Sequence, residues 1–164
     1  MEAVGAHREA VDVQSIACWA LCHLAFSADH LDFNSDNAER MVGAGSIEAV
    51  MEAMGSHRDS ETMQVNACFL LMLLAALNED NRARIASAGG IEAVVESMDR
   101  HQDSGAVQRQ ACFALLRLAE DTSALARMRA AGSVRLIRAV RAAMEASNAR
   151  EHTKEWGREL LEKL

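Results

Sequence analysis

The chain has 164 residues, half of them apolar and only 4% aromatic, with no proline and a formal charge of −7. Length and apolar share suffice for one continuous core, and the Ala, Leu, Val and Met mass favours closely packed helices over β-branched strands. No apolar run reaches the roughly eighteen residues of a membrane helix, the start lacks the layout of a secretory leader, and the acidic balance argues against nonspecific nucleic-acid binding.

In chain order, Met1–His7 reads MEAVGAH and matches Met51–His57, MEAMGSH, so the chain is predicted to open inside a helix that recurs later. Val13–Ala25, VQSIACWALCHLA, follows, and its motif returns as MQVNACFLLMLLA at Met63–Ala75 and VQRQACFALLRLA at Val107–Ala119. Six extra residues near Ser27–Asp32 then break the repeat. Insertions in repeat proteins collect on one edge and often bind, which makes Leu31 and Phe33 candidates for partner contact.

A second series begins at Arg40: RMVGAGSIEAVMEAM, then RIASAGGIEAVVESM from Arg84 and RMRAAGSVRLIRAV from Arg127. Its glycines Gly45, Gly89 and Gly132 lie 44 and 43 residues apart, and Cys68 and Cys112 lie 44 apart. Within one period the pattern predicts a short helix near Asp80–Ser87, a second over Gly90–His101 and a third over Gly105–Glu120. Ile91, Val94, Val95 and Met98 follow the i, i+3, i+4, i+7 rule, as one apolar helix face requires. Each glycine stands where the chain must turn sharply into the second helix. Ser60 and Ser104 are placed to cap the third helices. Trp156–Leu161 reads as a fourth third helix, with Gly157, Leu161 and Leu164 at the sites of Ala111, Leu115 and Leu118.

The chemistry-bearing residues mostly fit structural roles. Cys18, Cys68 and Cys112 hold one equivalent position on packed helices about 10 Å apart, beyond disulfide reach, so buried thiols are expected. Cys22 and His23 beside Cys18 sit on an apolar helix and read as packing. His7, His57 and His101 recur at the ends of second helices, where a ring can meet the last carbonyls. No metal, no cofactor and no catalytic motif is predicted. Charge is uneven: residues 1–62 carry eleven acids against three arginines, residues 121–164 six acids against nine bases. The run Arg127, Arg129, Arg135, Arg138 and Arg141 is the one candidate anion contact.

The Gly-x-Ile/Val start of the second helices (Gly45-Ser46-Ile47, Gly89-Gly90-Ile91, Gly132-Ser133-Val134) and the Val/Met-Gln-x-x-Ala-Cys third helices resemble the armadillo repeat family. The resemblance implies an all-α, right-handed α-α superhelix of about three repeats with partial repeats at both ends. The divisions would fall at residues 1–33, 34–77, 78–120 and 121–164. The family often has proline after Gly-x-Ile; here Glu48, Glu92 and Arg135 stand there. The resemblance further implies a noncatalytic protein-interaction module or scaffold that holds a peptide or helix in the concave groove of the third helices; the lack of a leader or membrane run and the unpaired thiols point to the cytoplasm, the nucleus remaining open to it. Three stripes would line that groove: Ser15, Trp19 and His23; Val65, Phe69 and Leu73; Arg109, Phe113 and Arg117. Phe69 and Phe113 could equally be core.

A nuclear-import adaptor of importin-α type shows a Trp and, four residues on, an Asn from each repeat. Those sites are Trp19, Phe69, Phe113 and Glu159, then His23, Leu73, Arg117 and Lys163, so only one Trp and no Asn is retained. That argues against nuclear-signal recognition. The sequence shows no capping unit at either end, and the alternative to a groove binder is a structural spacer or end-to-end self-association segment of a larger armadillo protein.

Overall fold

The computed structural model describes residues 10–25, 34–131, 133–146 and 148–164. Ten helices run through them: α1 (Val11–Leu24), α2 (Ser35–Gly43), α3 (Ser46–Ser56), α4 (Glu61–Leu77), α5 (Glu79–Ser87), α6 (Gly90–Arg100), α7 (Gly105–Leu118), α8 (Thr122–Ala131), α9 (Ser133–Glu145) and α10 (Glu151–Lys163). The order is third helix, then three complete first-second-third sets. Expected and observed bounds in the 79–118 set differ by at most two residues.

Local chemistry fixes each corner. Gly45 and Gly89 have φ of 83° and 84°, the left-handed region where a Cβ is strained, and each hands the chain straight into α3 or α6. Gly132 lies outside the described residues. Helix starts are capped by short polar side chains. The Ser60 and Ser104 hydroxyls accept from the N–H groups of Met63 and Val107 at 3.3 and 3.2 Å, and Asn34 and Asn78 do the same for α2 and α5.

The carbonyls that end the second helices, expected above to meet histidine rings, are taken by glutamine. Gln64 Nε2 donates to Met54 O and His57 O at 3.1 and 3.0 Å, and Gln108 Nε2 to Met98 O and His101 O at 2.8 and 2.9 Å. Both glutamines are buried, and each amide shares the His57 or His101 carbonyl with the Ser60 or Ser104 N–H while also meeting the helix-end carbonyl of Met54 or Met98. The His101 ring turns to the neighbouring layer instead, its Nε2 2.8 Å from Arg58 O. His7 lies outside the described residues.

Packing follows the repeat. α1, α4, α7 and α10 lie side by side in that order, and α3, α6 and α9 form a second row behind them. Ile47, Leu70, Leu71, Leu74, Ile85, Leu115 and Leu118 are fully buried in the core. α4 is buried on most sides because third helices flank it on both edges and α3 backs it. Cross-layer ion pairs recur at the rim: Arg84 to Glu48 at 2.7 Å and Arg127 to Glu92 at 3.7 Å. Arg135, which replaces a helix-start glutamate, reaches Asp99 of the layer before at 2.7 Å. These pairs are exposed, so each contributes at most about 1 kcal/mol.

The two ends of the described row differ. On α10 the side chains that point away from α7 are Glu155, Arg158 and Glu162, all exposed. They stand in register with Ser15, Cys18 and Cys22 of α1, which face α4 and are buried. A polar end face of this kind was not read from the sequence.

Candidate functional site

The candidate groove residues stand on the third helices with unequal exposure. Trp19 is 54% exposed, its ring 4.1 Å from that of His23, also exposed. Val65, Phe69, Arg109, Phe113 and Arg117 are half-buried, with Phe69 and Phe113 packed on the core edge while still meeting solvent. Ser15 and Leu73 are buried. Asn66 Nδ2 donates to the Ser15 carbonyl at 3.0 Å and to its hydroxyl at 3.2 Å, so Ser15 joins two layers. Leu31 and Phe33 lie outside the described residues.

One part of the face escaped the sequence reading. The Phe113 ring stacks on Trp156 of α10 at 4.2 Å with 11° between planes, and Trp156 stacks in turn on His152 at 5.5 Å. On the other side the Arg117 guanidinium carbon lies 5.2 Å from the Phe113 ring centre, and Arg117 Nη1 pairs with Glu120 at 2.6 Å. Repeat alignment puts Glu159 at the aromatic position of α10. Trp156 lies three residues earlier on the same helix flank, which is the signal that could have found it. The result is an aromatic row, Trp19, Phe69, Phe113 and Trp156, edged by Arg109 and Arg117.

Other candidates are already engaged. Arg127, Arg135 and Arg138 face Glu92 and Asp99, and Arg129 donates to the Lys163 carbonyl, leaving little of the basic run for an anion. Burial pushes the thiols of Cys18, Cys22, Cys68 and Cys112 up to about 12, and all four are free. They stay protonated and unreactive near neutrality. Among the described residues no three His, Cys, Asp or Glu side chains converge as a metal site would need, and no helix is long and apolar enough to cross a membrane.

Helices in threes, glycine corners and a continuous row of third helices are what a single family shares, and the family model for the LRRK2 ARM repeat matches residues 1–142. The chain belongs to the armadillo repeat family. No match is found among curated proteins. Among solved structures, one engineered protein matches this armadillo chain with a TM-score of 0.77 at 23% identity, covering 99% of this chain and 60% of that one. A second engineered protein gives 0.74 at 22%, covering 94% and 57%. A designed armadillo repeat protein in complex with the peptide (KR)4 gives 0.61 at 17%, covering 94% and 77%. At these identities the likeness is one of fold. The chain spans 60% and 57% of the length of the two engineered proteins.

Proposed function

We propose that this armadillo unit is a noncatalytic protein-interaction module, and that it holds a peptide or helix along the face shared by α1, α4, α7 and α10. The observation that carries the reading is the row Trp19, Phe69, Phe113 and Trp156. Rings left partly in water on a rigid face are the kind of group that supplies most binding energy in an interface. The likeness to a designed armadillo protein that binds a peptide supports the mode of binding. The ligand charge differs in this reading. Arg109 flanks the rings, with Arg117 held between Phe113 and Glu120, so an amphipathic peptide with an Asp or Glu spaced for Arg109 fits better than a basic one.

The test is affinity selection from a displayed random-peptide library, followed by fluorescence anisotropy on the recovered peptides with (KR)4 as comparison. Acidic amphipathic sequences should be recovered, and Trp19→Ala and Phe113→Ala should each weaken binding about tenfold or more, equivalent to about 1.4 kcal/mol. Because Trp19 is more than half exposed, Trp19→Ala should leave helix content unchanged. Tighter binding of (KR)4, or full affinity in both variants, would overturn the assignment.

A further inference from the structure

Between α6 and α9 the second-helix row opens into a groove of about 270 Å³, walled by Met98, Ala139, Ala142 and Ala143. Gln108 of α7 lies at its floor, only 3% exposed. The two bonds that Gln108 Nε2 gives to the Met98 and His101 carbonyls fix which way the amide points, so Oε1 is the end of the side chain that meets the groove. Among the described residues no donor reaches that oxygen.

The layer before shows what such an oxygen is built to meet. An equivalent groove of about 280 Å³ lies between α3 and α6, where Gln64 holds the Met54 and His57 carbonyls in the same way and its Oε1 accepts from the Ser97 hydroxyl. That acceptor is satisfied. Leu136, Ala139, Val140 and Ala143 are buried in α9 as Ile91, Val94, Val95 and Met98 are in α6, each 45 residues on, and the same register sets Ala142 in the place of Ser97. In the second groove the donor is gone and its acceptor remains.

A nearly buried acceptor without a donor carries a desolvation cost that an incoming O–H or N–H removes, and the surroundings narrow the kind of group. Gln102 is turned elsewhere, its Nε2 donating to the Asp99 carbonyl at 2.9 Å. At the mouth Asp99 faces Arg135 at 2.7 Å and Arg138 at 4.0 Å, so an ammonium or guanidinium would meet two arginines for one carboxylate. A neutral donor fits better. A serine or threonine would leave most of the volume to water, whereas a phenol reaches the floor with its hydroxyl and lays its ring against Met98 and the alanines. Arg138, with its side chain 73% exposed and held only loosely, can cover the outer face of the ring. We propose that this groove receives a tyrosine side chain of a partner protein, its hydroxyl donating to Gln108 Oε1. The 164 residues hold no tyrosine that could fill the groove from within. The site lies on the second-helix row and does not rest on the peptide reading of the aromatic row.

N-acetyl-tyrosinamide is the probe, titrated while methyl NMR spectra are recorded, with N-acetyl-phenylalaninamide as its counterpart lacking the hydroxyl. The methyl signals of Met98, Ala139, Ala142 and Ala143 should shift with a dissociation constant on the order of 1 mM. The phenylalanine compound should bind about tenfold more weakly or worse, because the hydroxyl is what the floor lacks. Ala142→Ser returns to Gln108 the hydroxyl that Ser97 gives Gln64, and should weaken the tyrosine compound about tenfold. Its melting temperature should not fall, since residue 142 is exposed. Equal binding of the two compounds, shifts confined to other parts of the chain, full affinity in Ala142→Ser, or a titration that moves nothing because the groove holds water alone would each overturn the proposal.

Discussion

Asp121 shows how a single residue can begin a layer. Its carboxylate accepts from the Ser123 hydroxyl at 2.6 Å and the Ala124 N–H at 2.7 Å, it is 3% exposed, and it caps α8. The Ser123 hydroxyl, then the N–H groups of Ala124 and Ser123, hold its carboxyl below the ordinary Asp value against the opposing effect of burial. A depressed folded value means the stabilisation is complete above the unfolded Asp value of about 3.9 and is lost as pH falls through the folded one. Asp121→Ala should therefore cost about 1 kcal/mol at pH 7, and the gap between variant and parent should close below about pH 4. Urea unfolding at both pH values checks this, and a gap that widens in acid would refute it. Caps of this kind are legible in sequence where a serine precedes a clean repeat, as at Ser60 and Ser104. Asp121 stands where Asn34 and Asn78 cap the earlier first helices, 43 residues after Asn78 just as Gly132 follows Gly89, and the change from Asn to Asp hides the match.

At the scale of the element, the corner between first and second helix rests on two adjacent glycines with different duties. Gly89 has φ of 84° with only Glu92 Oε2 within 4 Å of a would-be Cβ, at 3.9 Å, so its demand is conformational. Gly90 is ordinary in backbone, but a Cβ there would stand 2.5 Å from Ile85 Cγ2 and 2.8 Å from the Ile85 carbonyl, so its demand is space. Gly89→Val should cost about 1–3 kcal/mol through strain, and Gly90→Ala should cost at least as much through displacement of α5 from α6. Thermal melts of the two variants decide it, and a neutral Gly90→Ala would mean the close approach is relaxed in solution. The recurring glycine exposed the corner in the sequence. The Gln64 and Gln108 contacts did not show there, because one amide meets two carbonyls only once the second and third helices have folded back on each other.

The whole molecule is a row in which each layer touches its neighbours, so the centre carries more packing than the edges. Leu115, at 0% exposure in the middle of the row, should cost about 2–5 kcal/mol as Leu115→Ala, while half-buried Leu161 of α10 should cost less than half as much as Leu161→Ala. Chemical denaturation measures both, and equal losses would contradict the layered account. Layer order, third-helix register and family were readable because the motif repeats at fixed spacing. The Phe113 and Trp156 stack and the charged outer flank of α10 were hidden, since each depends on which side chain meets the next layer. Gln108 holds Met98 and His101, and Gln64 holds Met54 and His57, within a single period. A period copied or transplanted to another place in such a chain would bring its own clasp with it, so lengthening the row requires a matching apolar flank and no newly invented hinge.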